Sequence, residues 1–344
     1  MSQRPVARQV TMDEVAAEAK VSRATVSRVL SDSAGVQEET RRRVLGAINR
    51  LGYVPNLMAQ SLATRSSPVV GLLLRNPRKP VYGLLHGEVQ DRADEVGLEL
   101  ITVVPSSSPG VRNERRALHK LLGLRVGGLL IATGVSRTED LAQFLGVVPV
   151  VAVGRPECHD EIHGISYDEP AHGRMIAEAV LAHGHRRVCV IAPAESVSVS
   201  ESQRAEAMIT TLAEAGARPE RLPVVRSAPR DGCVEAVELV RRREVSCVCL
   251  PSDERALAFL AAAERAGLVV PHDVSVTGVD GITAGLDLVG LATIRLPVAT
   301  VAEQAVRLMA EQVHGAGAPV EHHAHRGTFL PGRSLAAPPQ HAEP

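Results

Sequence analysis

Apolar residues recur along this chain in two rhythms, and the rhythm changes near Pro68. Before it the period is helical. Val15, Ala16 and Ala19 form one short stripe, Val26, Val29 and Leu30 a second, and Val44, Ala47, Ile48 and Leu51 a third at i, i+3, i+4 and i+7, the spacing that stacks side chains on one helix face. Local signals set the ends. Thr11 followed by Glu14 has capping-box spacing, Ser22 caps a second helix running to about Leu30, and Gly52 closes a third running from about Glu38 to Leu51. Two short helices joined by a tight turn, with Arg23, Ala24, Ser27 and Arg28 facing outward on the second, predict a helix-turn-helix. That arrangement lays its second helix in the major groove of DNA.

After Pro68, short apolar runs alternate with helical stretches. Residues 69–74, 98–104, 126–131, 148–153, 188–192, 246–250 and 275–279 read as strands, with helices between them at, for example, 83–96, 113–122, 171–183 and 202–215. This alternation predicts parallel sheets covered on both faces by helices, enough for two lobes with a cleft between them. Ligands of such sheets bind outside the carboxyl ends of the strands. A length of 344 residues suits two to three domains. The expected division is a DNA-binding headpiece over 1–54, a linker segment over 55–67, a two-lobed core over 68–334 and a disordered tail over 335–344.

Charge sharpens the reading of the first segment. Residues 1–66 hold ten Arg or Lys against six Asp or Glu, whereas the whole chain has a net charge of −1. A basic head on an acidic body is expected when only the head meets phosphates, and it weighs against an ordinary helical bundle. Cys158, Cys189, Cys233, Cys247 and Cys249 contain no C-x-x-C spacing, which suits buried thiols in a reducing compartment. No membrane-length apolar run or leader pattern is present, so the expected location is the cytoplasm, in association with the nucleoid. His322, His323 and His325 offer a metal-binding spacing, but a terminal strand is the better reading because no further ligand lies nearby. Nucleophile elbows, phosphate loops and dinucleotide fingerprints are missing; neither catalysis, a metal nor a cofactor is expected.

Residues 10–30, TRRRVLGAINRLGYVPN at 40–56 and AQSL at 59–62 resemble the headpiece of the LacI/GalR (lactose-repressor) family of bacterial transcription regulators. The blocks VPVVAVGRP (148–156), ISYD (165–168), HGHRRVCV (183–190), DVSVTGVD (273–280) and LPGRS (330–334) carry the resemblance over almost the whole chain. It implies an all-α helix-turn-helix headpiece followed by an α/β, two-lobed, periplasmic-binding-protein-like core with two doubly wound parallel sheets. It also implies a homodimeric repressor on a pseudo-palindromic operator, controlled by a small-molecule effector in the interlobe cleft.

The resemblance assigns roles by position. Arg23 and Ala24 open the recognition helix and choose bases, Arg23 through a guanine edge and Ala24 through a methyl contact. Thr25, Ser27 and Arg28 extend the contacts, while Thr11 and Ser22 at helix starts suit phosphate positioning. Asn56 and Leu62 fall in the hinge helix, with Leu62 as the wedge that enters the minor groove. Lys20 stands where a small residue is usual in the turn. In the core, Arg204, Ser252, Asp253 and Asp280 fall at effector-lining positions, and Arg75 and Asn76 follow the first strand into the cleft. For Arg75 and Asp253, an ion pair or a strand cap reads as well as a ligand contact.

A sugar or sugar derivative is the expected effector. Aromatic faces are few, with Tyr53, Tyr82, Tyr167, Phe144, Phe259 and Phe329 the whole set and no Trp, so hydrogen bonds should hold it. The arginines at 75 and 204 leave an acidic or phosphorylated metabolite or a nucleoside open, and a phosphoprotein partner is the alternative controller. A solute-binding protein would share the core without the basic head; a DNA-processing enzyme would need a nucleophile or metal cluster. The tail lacks the leucine heptads of a tetramerising coiled coil.

Overall fold

Each apolar stripe in the first segment is a helix: α1 (Met12–Ala19), α2 (Arg23–Leu30) and α3 (Glu38–Leu51). These come from a computed structural model that describes residues 10–30, 35–54, 68–105, 111–133, 141, 144–157, 159–226, 228–315, 317 and 319–339. Val15, Val26, Val44 and Ala47 are completely buried where the three stripes meet. Thr11 forms a full capping box, its hydroxyl accepting from Glu14 N while Glu14 accepts from Thr11 N at 2.7 Å. Ser22 Oγ accepts from Thr25 N at 3.1 Å. Lys20 ends α1 at φ 53°, with Val21 N bonded to Ala16 O and Lys20 N to Ala17 O. That left-handed position explains why a small residue suits the turn and why a lysine there carries strain.

The chain divides into two compact units, Met1–Arg65 and Ser66–Pro344. The second contains two parallel sheets. Strands β1 (Val69–Leu74), β2 (Glu99–Val103), β3 (Gly128–Ala132), β4 (Val150–Val153) and β5 (His163–Tyr167), with helices α4 (Pro80–Glu95) and α5 (Val111–Gly123), build the first lobe. The chain then crosses into α6 (Glu169–Ala182), β6 (Arg187–Pro193), α7 (Val199–Glu214), β7 (Arg218–Val224), α8 (Cys233–Arg241), β8 (Cys247–Cys249), α9 (Asp253–Arg265) and β9 (Ser275–Thr277). After α10 (Leu286–Val289) and β10 (Thr293–Arg295) it returns to the first lobe through α11 (Val298–Val313) and β11 (His322–His325), and ends at β12 (Thr328–Leu330).

Strand order in the first lobe is β11-β5-β4-β3-β1-β2 and in the second β7-β6-β8-β9, all parallel; β10 and β12 form an antiparallel ribbon. β1 and β3 are buried along their whole length, as central strands covered on both faces must be. The chain therefore crosses between lobes three times, near residues 168, 297 and 326. The crossings lie side by side: Asp168 N donates to His325 O at 2.9 Å, and Arg295 pairs with Thr328 in the β10–β12 ribbon.

Three stretches bear on the sequence expectations. Residues 218–224 form a strand although they read RPERLPV, because β7 is an edge where polar side chains face solvent and prolines need no partner. Residues 335–339 were expected in a disordered tail, yet Leu335 is buried and the Ala336 carbonyl accepts from His185 Nε2 at 2.8 Å and from Ser275 Oγ at 3.2 Å. The histidine run is indeed strand β11, paired with β5, and each ring has a protein partner: Ile162 O, Glu321 and Gln304.

Candidate functional site

On the headpiece, the outward face of α2 presents Arg23, Ala24, Ser27 and Arg28 to solvent. Among the described residues the one acid beside Arg23 is Asp13, at 3.8 Å with both side chains about 70% exposed, a solvated pair that leaves the guanidinium available to a base edge. Thr25 turns partly inward, and its hydroxyl lies 2.9 Å from that of Ser22. The hydroxyls of Thr11 and Ser22 thus cap their own helices. Asn56 and Leu62 lie outside the described residues.

The cleft of the core lies where strand order predicts it. Arg75, Gly154, Tyr167, Ser198, Ser252 and Asp280 each end or follow the carboxyl end of a strand (β1, β4, β5, β6, β8 and β9), and all six line one cavity partly open to solvent. Three polar contacts cross the cleft among the described residues: Arg75 Nη2 donates to Val197 O at 2.6 Å, and Lys79 Nζ meets Glu201 Oε1 at 3.2 Å and Glu254 Oε2 at 4.0 Å. Behind Glu201 stands Arg255, whose Nε lies 3.3 Å from Oε2 and whose other nitrogens donate to Ala228 O and Arg226 O. Arg204, on α7, is almost fully buried. Its Nη2 lies 2.6 Å from Glu169 Oε2, and Nη1 donates to Pro251 O.

Three polar groups in this cavity are uncommitted. Tyr167 Oη and Ser252 Oγ are buried without a hydrogen-bond partner among the described residues. The Asp280 carboxylate has none there either, and its backbone sits at φ 132°, a conformation that favours glycine. Burial, with Asp253 and Glu201 adding repulsion, pushes Asp280 well above the ordinary carboxylate range despite the opposing pull of Arg204 and Lys79. Burial likewise pushes the Tyr167 hydroxyl upward.

The predicted cleft residues separate into two groups. Arg75, Arg204, Ser252 and Asp280 line the cavity; Asn76 and Asp253 do not. Asn76 Oδ1 accepts from Arg78 N at 3.1 Å and shapes the turn into α4. Asp253 is fully buried at the start of α9, accepting from Thr293 Oγ1 at 2.6 Å and Gly281 N at 2.7 Å. It holds the β9 loop that carries Asp280. Sequence reasoning passed over Lys79, Tyr82, Tyr167, Glu169 and Glu201, which line the cavity as well. Lys79 is one of only three lysines and the two tyrosines are two of three, a scarcity that could have flagged them; the glutamates gave no such signal.

The description "Bacterial regulatory proteins, lacI family" matches residues 11–56, and "Periplasmic binding protein-like domain" matches residues 177–335. The regulator CelR of Thermobifida fusca is 31% identical over 90% of this chain and 93% of its own length, and the regulator reg1 of Streptomyces lividans is 31% identical over 89% and 91%. The chain belongs to the LacI family. This LacI-family protein is accordingly a helix-turn-helix transcription regulator and not an enzyme. Its fold also matches a lac repressor dimer bound to operator and the anti-inducer ONPF, with a TM-score of 0.84 at 24% identity over 96% of this chain and all of that one. A CelR–cellobiose complex superposes with a TM-score of 0.68 at 27% identity, covering 95% and 100%. Among the described residues of this LacI-family chain, no helix is long and apolar enough to cross a membrane.

Proposed function

We propose that this regulator binds a two-fold symmetric operator as a cytoplasmic, nucleoid-associated homodimer and is controlled by a neutral, hydroxyl-rich small molecule in the cleft. The observation that carries the effector reading is the convergence on one cavity of the Asp280 carboxylate with two buried hydroxyls, Tyr167 Oη and Ser252 Oγ, that have no partner among the described residues. Buried polar atoms need partners, and a polyol supplies donors to the carboxylate and both donors and acceptors to the two hydroxyls.

Charge argues against a phosphorylated or acidic effector. Arg204 is committed to Glu169 and Lys79 to Glu201, and four carboxylates (Glu169, Glu201, Glu254, Asp280) face the cavity against three cations. An anion would have to break one of these pairs, at a cost of several kcal/mol, or rest on Arg75 alone, whose Nη2 is already held by Val197 O, with four carboxylates around it. The cellobiose complex of the related CelR supports a carbohydrate. For the DNA, Arg23 and Ala24 are proposed to read bases, with Thr25, Ser27 and Arg28 beside them and Leu62 as the hinge wedge.

Thermal stability of the purified protein against matched neutral and phosphorylated mono- and disaccharides tests the effector class, because a bound ligand raises apparent stability. A neutral sugar should raise Tm, and the same sugar should lower affinity for a duplex selected by the protein from random sequence. Stabilisation by the phosphorylated sugars alone would sink the reading.

A further inference from the structure

One buried histidine is not explained by packing. His172 lies on the first turns of α6, completely buried, with hydrogen-bond partners on both ring nitrogens. Gly327 N donates to Nε2 at 2.8 Å. A backbone N–H has no acceptor capacity, so Nε2 must carry the lone pair and the proton of the neutral ring sits on Nδ1. That proton points at Glu169 Oε2, 3.3 Å away. The same oxygen receives Arg204 Nε at 2.8 Å and Nη2 at 2.6 Å. The result is one polarised chain from Gly327 N through His172 and Glu169 to Arg204.

Its two ends differ in kind. Glu169 and Arg204 line the cleft cavity. Gly327 belongs to the third crossing between lobes, linking β11 of the first sheet to β12. The crossing has no slack there: a Cβ on Gly327 would lie 2.4 Å from Arg295 O, which belongs to the second crossing. At the cleft end, Gly173 brings α6 and α7 together, since a Cβ there would meet the Arg204 carbonyl at 2.3 Å.

We propose that His172 is a positioning residue of the effector site: it orients Glu169, and through it Arg204, and pins the third interlobe crossing to the cleft. A change at the Arg204–Glu169 pair then reaches the segment about which the lobes move without passing through the general core. The functional half of this proposal rests on the cleft being the effector site. The physical half does not.

The test follows hydrogen exchange of the full-length protein by mass spectrometry, without any ligand. His172→Leu removes both hydrogen bonds at similar volume, and the peptide spanning 326–330 should exchange roughly five- to tenfold faster, while β3 at 128–132 stays protected. His172→Gln keeps an acceptor for Gly327 N and a donor for Glu169, and should exchange like the parent. Glu169→Gln, a change made at the cleft, should also loosen 326–330, but should add nothing when combined with His172→Leu. A Glu169→Gln protein with unchanged 326–330 exchange, additive effects in the double variant, or equal loosening by His172→Gln and His172→Leu would each overturn the relay. Failure of every sugar to bind would instead overturn the effector reading and leave the exchange result standing.

Discussion

Asp280 is held in a conformation and an environment that oppose its charge, and both facts point the same way. A residue at φ 132° whose carboxylate is kept from ionising by its surroundings costs stability that a bound ligand would recover. Asp280→Asn tolerates the backbone and discards the charge, so at neutral pH it should stabilise the protein by about 0.5–2 kcal/mol, read as a Tm a few degrees higher. The sign with pH follows from linkage. Because the folded-state value is raised, the folded protein keeps a proton that the unfolded chain releases once pH exceeds the ordinary aspartate range. Stability therefore falls as pH rises from that range through the folded value, and no penalty exists below it. The advantage of Asp280→Asn should shrink as pH is lowered toward that range, and sugar-induced stabilisation should be weakened at every pH. A Tm gain that persists undiminished in acid would mean that the backbone, not the charge, carries the cost.

At the level of elements, the contact of α6 with α7 turns on one missing methyl group. Alanine normally favours a helix over glycine by about 1 kcal/mol, yet a Cβ at Gly173 would overlap the Arg204 carbonyl and sit 2.8 Å from Ala207 Cβ. Since backbone cannot swing aside like a side-chain tip, Gly173→Ala should destabilise by about 1–3 kcal/mol in denaturant titration and should weaken sugar binding by displacing Arg204. For α2, Arg23→Ala should lower affinity for the selected operator by about 1–3 kcal/mol while leaving random duplex nearly unaffected. Equal losses in gel shifts on both duplexes would place Arg23 against phosphates. These elements were legible in the sequence to very different degrees. The headpiece helices carry their own stop and start signals in Thr11, Ser22 and Gly52, so their limits could be read locally. Central strands announce themselves as apolar runs, whereas β7, β10 and β12 are edge or ribbon strands whose pairing, not composition, defines them. In the cleft, Arg204 and Asp280 stood out by position within motifs. Their partners did not: Glu169 lies 35 residues from Arg204, and Lys79 lies 122 from Glu201. The packing of α6 on α7 brings the first pair together, and the crossing of the chain between lobes brings the second.

Across the whole core, the lobes are joined in the cleft by unequal links, and the inequality can be measured. Glu201 is shared between Lys79 of the opposite lobe and Arg255 of its own. Removing Lys79 leaves Glu201 a buried cationic partner; removing the Glu201 charge leaves the almost fully buried Arg255 without a carboxylate and Lys79 with only the more distant Glu254, at 4.0 Å. Lys79→Met should therefore cost no more than about 1 kcal/mol in urea unfolding, whereas Glu201→Gln should cost about 3–5 kcal/mol. Acid adds an independent check. Burial works against the Glu201 charge, but Lys79, Arg255 and Arg204 more than offset it and hold the carboxyl below the ordinary glutamate range. Its stabilising contribution is thus present above that range and is lost as pH falls through the lowered folded value. The gap between the parent and Glu201→Gln should stay constant from neutral pH down to the ordinary glutamate range and close below it. If Lys79→Met is instead the more costly change, the interlobe pair rather than the Arg255 pair anchors Glu201. The cleft would then be locked shut by its own side chains, and an effector would have to act by breaking that lock.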